Sequence, residues 1–294
     1  MTQNLNSDWS CNTRGVHSLV LQSDFGLDDG AVAAMYGVAI DTKPDLRIFD
    51  LTHNIPPYDI WEGSYRLAQA IDYWPEGTVF VSVVDPGVGS DRLSVVARTK
   101  TGHYVVTPDN GTLTHVDAIF GVEQLREIDE HSNRRKGSEA SYTFHGRDIY
   151  AYTGARLAAG IINYEQVGRE LNVEDMVRLP WDKPYRDGDT VYGNIDALDV
   201  RYGSLWTSIP RTLFNEINPE FGERFQLRVM HQGRVMHSNQ MIYAPSFAAV
   251  EVGESLIYVN SLDRMAAAIN RGSYARAFNI DTGSAWHVSL THVK

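Results

Sequence analysis

The chain has 294 residues, 43% of them hydrophobic and 21% charged, a globular composition whose length suits about two domains. A formal net charge of −11 repels phosphate backbones and anionic lipid, which argues against nucleic-acid and membrane partners. A single cysteine, Cys11, rules out an intrachain disulfide and a thiolate metal cluster and fits a reducing cytoplasm.

Residues 1–17 are polar, with neither a basic nor an apolar segment of a signal peptide, and are expected to form a short mobile tail. No apolar run approaches the roughly 20 residues that span a bilayer. Ser18–Gln22 reads as a first strand and Asp28–Ile40 as a helix, with Asp28 and Asp29 at its positive N-terminal end. A strand over Leu46–Leu51 follows, then a helix over about Asp59–Tyr73 with Ile60, Leu67 and Ile71 at helical spacing. Thr78–Val84 is a β-branched run of the kind covered on both faces. This alternation predicts a largely parallel sheet flanked by helices. Further strands are expected at Ser94–Arg98 and His103–Thr107, an exposed charged loop over Asp129–Ser141, and a helix over Arg147–Ala159. Beyond Pro184 come short alternating segments at Thr190–Leu198, Ser204–Ile209, Arg224–Val229, Leu256–Asn260 and Trp286–Leu290, the pattern of a small β-barrel or sandwich. The expected organisation is an α/β N-terminal domain over residues 18–184 and a β-rich, barrel-like C-terminal domain over 185–294.

Ligands of parallel α/β sheets bind beyond the carboxyl ends of the strands. Three polar clusters fall there: Ser23–Gly26, Asp85–Gly89 and Thr107–Gly111. Each is also ordinary turn chemistry; their coincidence at equivalent ends favours a shared site. Asp24, directly after the first strand, is placed to accept from a ribose diol, and two glycines in the Asp85 loop let backbone approach a ligand. Phe144-His145-Gly146-Arg147-Asp148 puts a His, an Arg and an Asp within one turn, where Arg147 and Asp148 can equally pair with each other.

Taken together, Ser23-Asp24-Phe25-Gly26 with Asp28-Asp29, Val84-Asp85-Pro86-Gly87-Val88-Gly89 with Arg92, Pro108-Asp109-Asn110-Gly111 and Phe144-His145-Gly146-Arg147-Asp148 closely resemble the S-adenosyl-L-methionine (SAM) hydroxide adenosyltransferases. That family is related to the fluorinases and chlorinases. The resemblance continues through Asp199–Thr207 and Ile257–Ser261 and so spans nearly the whole chain. It implies hydrolysis of SAM to adenosine and methionine without a metal or cofactor, SAM being the substrate. It also implies a homotrimer whose sites lie between the N-terminal domain of one subunit and the C-terminal domain of the next. Asp85, Arg92 and His145 match the family's triad; the halogenases resemble each other in having a Tyr at the first position, no matching His, and, in fluorinases, a Ser where this chain has Gly146. A charged Asp85 repels a halide but not a neutral water, so hydroxide is the expected nucleophile. By the same resemblance Asp24 meets the ribose hydroxyls and Tyr58 stacks on the substrate. Asp199 and Ser261 meet the methionine amine and carboxylate, and Tyr202 and Phe247 the adenine. Ser204 stands where fluorinases have an adenine-reading Asn, and Leu262 where they have an Arg.

Two other readings are weighed. Asp24-Phe-Gly-Leu-Asp28-Asp29 is similar to the acidic loop of calcium-dependent nucleoside hydrolases, but Gln22 stands where that pattern needs its first Asp, and hard cations want several oxygen ligands. A non-catalytic SAM sensor has no need of Asp85, Arg92 and His145 together.

Overall fold

The computed structural model describes residues 17–293. The expected tail, Cys11 included, lies outside them except for His17, whose N–H donates to the Ala158 carbonyl (2.8 Å).

In chain order the first part runs β1 (Leu19–Ser23), α1 (Ala31–Thr42), β2 (Ile48–Thr52), α2 (Ile60–Ile71), β3 (Val79–Val83), β4 (Ser94–Thr99), β5 (Tyr104–Pro108), α3 (Thr114–Phe120), β6 (Val122–Glu127), α4 (Glu130–Asn133), α5 (Tyr152–Ala158) and β7 (Glu170–Leu171). These strands form one seven-stranded sheet in the order β2-β1-β3-β5-β4-β6-β7. β2, β1, β3 and β5 are parallel; β4, β6 and β7 add on antiparallel. Alternate residues serve opposite faces, as the pleat requires. Leu19, Leu21, Val79, Val81 and Val83 pack with Met35 and Ala39 of α1 and with Ala155 and Leu157 of α5. Val20 and Phe80 pack on the other side with Leu67 and Ile71 of α2 and Val116 of α3. Both faces are thus covered, which is why β1 and β3 are buried at every position.

The second part comprises β8 (Tyr185–Asp187), β9 (Thr190–Leu198), β10 (Leu205–Pro210), β11 (Arg224–His231), β12 (Arg234–Tyr243), β13 (Ser255–Val259), β14 (Arg264–Ile269) and β15 (Trp286–His292). Their order is β10-β14-β13-β12-β11-β15-β9-β8, and a further β9–β10 pairing closes seven of them into a barrel. The barrel is filled by inward positions such as Ile195, Leu205, Phe225, Leu227, Met241, Ile257 and Val288. The expected class, an α/β sheet unit followed by a barrel-like one, matches this architecture.

Three local expectations are corrected. Helix α1 starts at Ala31 rather than Asp28; Asp29 Oδ1 accepts from the Ala31 N–H (2.8 Å), while Asp28 is exposed. The stretch Asp129–Ser141 is not simply an exposed loop. It contains α4 and buries Asn133, Arg134 and Ser138. The Asn133 amide donates to the Val167 carbonyl (2.9 Å). The segment expected as a helix from Arg147 opens with a π-helical turn, Gly146–Ala151, before α5.

The two sheets meet through α2. Trp61 Nε1 donates to the Asp196 carbonyl (2.8 Å) and Arg66 Nη2 to that of Leu198 (2.7 Å), both in β9.

Candidate active site

β1, β3 and β5 run parallel, so the turns that follow them emerge at one end of the sheet. Two of the three polar clusters meet there. Asp24, Phe25, Tyr58, Asp85, Val88, His145 and Gly146 line one cavity of about 240 Å³. The third cluster is consumed in holding the frame. Asn110 Nδ2 donates to the Val84 carbonyl (2.8 Å), supporting the strand end that carries Asp85, and Asp109 accepts from the Val177 N–H (3.0 Å).

Asp85 and Arg92 face each other across the β3–β4 connection. Arg92 Nε donates to Asp85 Oδ1 (2.7 Å), and Nη2 pairs with Oδ2. The two side chains are only 10% and 5% exposed, so the pair is poorly screened. The same Nη2 lies 3.0 Å from His145 Nδ1. Arg92 Nη1 donates to Ser94 Oγ (3.1 Å), and the guanidinium sits over the Tyr150 ring. Burial, the largest influence, works against the Arg92 charge, but the hydrogen bond to Asp85 together with electrostatic attraction from Tyr150, Asp85 and Glu130 outweighs it and the net shift is upward. His145 is shifted down, first by burial and then by the Arg92 charge. The Tyr150 hydroxyl is driven upward by burial, so it stays protonated. Asp85, Arg92 and His145 therefore form one connected unit whose imidazole is held neutral at neutral pH.

Asp24 is half-buried, and its Oδ2 accepts from the Tyr58 N–H (2.9 Å). Tyr58 has φ +68°, a region costly for a non-glycine residue, and the residue is 73% exposed. Behind Asp24, Ser23 Oγ bonds His53 Nδ1 (2.7 Å), and His53 Nε2 bonds Asp50 Oδ1 (2.9 Å). This row has the residue types of a hydrolase triad, yet Ser23 is fully buried, so it shapes the Asp24 turn and has no access to a substrate.

Gly146 contributes by having no side chain. A Cβ there would lie 3.0 Å from the Phe25 ring, which packs edge-on against Phe144. A side chain at 146 would press on that ring, which would have to give by a few tenths of an ångström.

The barrel residues are not brought to this cavity within one chain. Tyr202 and Phe247 line a separate cavity of about 620 Å³, and Asp199 lines its neighbour. Tyr202 is 72% exposed, and Ser261 is exposed in the β13–β14 turn. Asp199 Oδ1 accepts from the N–H groups of Arg201 (2.9 Å) and Tyr202 (2.7 Å), leaving its second oxygen for other partners. Ser204 is buried beside the hydroxyl of Tyr258, and Leu262 N–H is held by Asn260 Oδ1 (2.9 Å). Arg147 pairs with its neighbour Asp148 through two hydrogen bonds of 2.7 and 2.8 Å, the local pairing that was the alternative to a catalytic role.

At the end of β1, Gln22 is buried and its amide donates to the Gly63 carbonyl (2.8 Å) and to Ser82 Oγ (2.9 Å). The position that an acidic cation loop needs as a ligand is thus a structural tie between β1, α2 and β3. Among the described residues, no group of three or more His, Cys, Asp or Glu is placed to hold a metal ion.

Sequence reasoning missed Arg134, Glu130, Ser94 and Tyr150, which back the triad from behind. The one signal available was an Arg at i+4 from a Glu in a segment whose charge otherwise reads as surface.

Comparison with known proteins places these features in context. The family model for the SAM hydroxide adenosyltransferase N-terminal domain matches residues 19–168, and that for the C-terminal domain matches residues 193–287. A protein of Salinispora tropica named (R)-S-adenosyl-L-methionine hydrolase is 34% identical, covering 91% of this chain and 95% of its own. A fluorinase of Actinoplanes sp. is 30% identical, covering 90% of this chain and 95% of its own. The crystal structure of an uncharacterized conserved protein from Thermotoga maritima superposes with a TM-score of 0.84 at 30% identity, covering 93% of this chain and all of that one.

Proposed function

Because the chain belongs to the SAM hydroxide adenosyltransferase family, we propose that it hydrolyses SAM to adenosine and L-methionine. In this reading a water-derived hydroxide attacks ribose C5′ and the methionine thioether leaves. The observation that carries it is the joining of Asp85, Arg92 and His145 in one buried network at the edge of the cavity that Asp24 and Tyr58 also line. The sulfonium is already a good leaving group and needs no acid. What the protein must supply is an oxygen nucleophile in line behind C5′ and a place for its proton. Asp85 and His145 hold and help deprotonate the water, and Arg92 stabilises the developing hydroxide; coupled groups share their protons, so the triad acts as a unit. SAM is the substrate, and neither a metal nor a cofactor is assigned.

Asp24 binds the ribose hydroxyls and Tyr58 stacks on the substrate. Asp199 and Ser261 take the methionine amine and carboxylate, and Tyr202, Phe247 and Ser204 form the adenine end. Asp24 and Tyr58 line one cavity while Tyr202 and Phe247 line another and Asp199 a third within one chain, and Tyr58 and Tyr202 are both largely exposed. That supports a site on the α/β unit of one copy completed by the barrel of the next; the trimeric number rests on the family resemblance. The same reading divides the chain at residues 184 and 185, where β8 joins the barrel strand β9. No described helix is long and apolar enough to cross a membrane; we assign the enzyme to the cytoplasm because its one cysteine suits a reducing compartment.

Fluoride or chloride as the nucleophile is disfavoured by the anionic Asp85 and by the Phe25 ring packed against Gly146. The test is chromatography of products from purified protein and SAM in halide-free buffer with EDTA, run on both sulfonium epimers because the relative's name specifies the (R) form. Adenosine and methionine in equal amounts are expected. Free adenine would point instead to glycosidic cleavage, and bound but intact SAM to a sensor.

A further inference from the structure

His145 is contacted from both sides by groups that can only donate. Arg92 Nη2 lies 3.0 Å from its Nδ1, and Arg134 Nη2 lies 3.3 Å from its Nε2. Arg134 is itself buried and held at both terminal nitrogens of its guanidinium. Nη2 donates to Glu130 Oε2 (2.9 Å), Nη1 donates to the Ser141 carbonyl (3.2 Å), and the plane lies over the Tyr142 ring at 5.2 Å. Glu130 Oε1 in turn is 3.4 Å from Ser94 Oγ, the atom that receives Arg92 Nη1. The contacts thus close a ring through Arg92, His145, Arg134, Glu130 and Ser94, with Asp85 attached at Arg92. Two carboxylate–guanidinium pairs, Asp85–Arg92 and Glu130–Arg134, bracket one imidazole.

A guanidinium has no acceptor. An imidazolium between two of them would oppose N–H to N–H at both nitrogens and place three cations in contact. A neutral imidazole can accept from one guanidinium only, which leaves the other contact exchangeable for an oxygen that accepts. We infer that Glu130–Arg134 is a second positioning pair for the reaction, fixing the orientation of His145 from its Nε2 side as Asp85–Arg92 does from Nδ1. The groups facing this imidazole are Asp85 and Arg92 from the β3–β4 connection, Glu130 and Arg134 from α4 and its end, Tyr142 from the loop that follows, and Asp24 across the cavity. Burial and then the Arg92 charge push the His145 proton off; Glu130 opposes this more strongly than Arg134 adds to it, and Asp85 opposes it least. The inference rests on the hydrolase reading for its consequence in turnover, but not for its consequence in titration.

The experiment is an NMR titration of the full chain labelled with ¹⁵N-histidine, the His145 signal being assigned by its loss in His145→Gln. Arg134→Gln keeps a donor but removes the charge, and should move the His145 midpoint upward. Glu130→Gln removes the opposing anion and should move it downward, while Arg134→Lys should stay near the wild type. In parallel, Arg134→Gln should lower kcat by about 10², the scale of a displaced catalytic group, with KM for SAM little changed and the acidic limb of the rate profile moved to higher pH. An unchanged midpoint in Arg134→Gln, or shifts of the same sign in both charge-removing variants, would overturn the inference. Opposite shifts in the two variants, with a wild-type protein that forms no adenosine, would keep it and remove the hydrolase reading instead.

Discussion

An Asp85→Asn substitution preserves the shape of the side chain but turns one of its two acceptors into an N–H donor. Arg92 now has Nε on Oδ1 at 2.7 Å and Nη2 on Oδ2; in the variant one of these donors faces another donor. Arg92 is also left as a positive charge whose side chain is 10% exposed, with no partner carboxylate in contact. Two unit charges at about 4 Å in an effective dielectric near 20 attract by about 4 kcal/mol. Removing one partner from a buried pair is typically found to cost about 3–5 kcal/mol. At about 3 kcal/mol, and about 2–4 °C per kcal/mol for a chain of this size class, the unfolding midpoint should fall by roughly 6–12 °C. Turnover should fall further than stability alone requires. The guanidinium that touches His145 Nδ1 loses its anchor, and loss of proton-transfer assistance is worth about 10² to 10⁴ in rate. Thermal unfolding and adenosine formation, both measured below the variant's transition, read the two effects separately. A variant that melts with the wild type and turns over at the wild-type rate would refute the reasoning that the pair is buried, coupled and catalytic.

Other outcomes follow from the same geometry. Asp24→Ala should raise KM for SAM about 10- to 100-fold, the range for a hydrogen bond to a charged group, with a smaller effect on kcat; equal losses in both at saturation would contradict a binding role. Gly146→Ser should reduce hydrolysis by displacing Phe25 and should not yield a 5′-halogenated nucleoside in fluoride or chloride, as product chromatography will show. Since His145 is shifted below its ordinary value of 6.5, its neutral form persists below that pH, and the acidic limb of the rate profile that reports it should lie below pH 6.5. The same sign applies to stability. The unfolded chain takes up the proton first, so this contribution is full above pH 6.5 and is lost as pH falls through the folded value. Trp61→Phe removes the donor to the Asp196 carbonyl and should cost about 1–3 kcal/mol by leaving that group unpaired, read as a lower denaturation midpoint with the kinetics retained.

The fold was legible where burial is uniform and the period clear. Val79–Val83 is covered on both faces and reads as an unbroken β-branched run, and α2 shows Leu67 and Ile71 at helical spacing after a capping Asp59. It was illegible where a strand is half exposed or built from poor strand formers. β12 is largely exposed from Arg234 to Gln240 and puts the polar His237 and Asn239 on the same face as the buried Met241 and Tyr243, and β14 holds three consecutive alanines, so neither has the expected signature. At the site, Asp24, Asp85 and His145 follow strand ends or open a helix, where position alone draws notice. Arg134 and Glu130 lie in a charged stretch that carries one Gly and three Ser, and composition cannot tell a guanidinium facing solvent from one turned inward onto an imidazole. Gly146 was visible only as a missing hydroxyl; the ring of Phe25, which crowds the place a side chain would take, comes from 121 positions earlier in the chain.

The central claim is that oxygen from water becomes bonded to ribose C5′. Hydrolysis of SAM in ¹⁸O-water, with mass spectrometry of the products, tests it most directly. The account predicts adenosine with one ¹⁸O in its 5′-hydroxyl and unlabelled methionine in equal amount. Adenosine without label, or label recovered on the ribose C1′ oxygen beside free adenine, would contradict it.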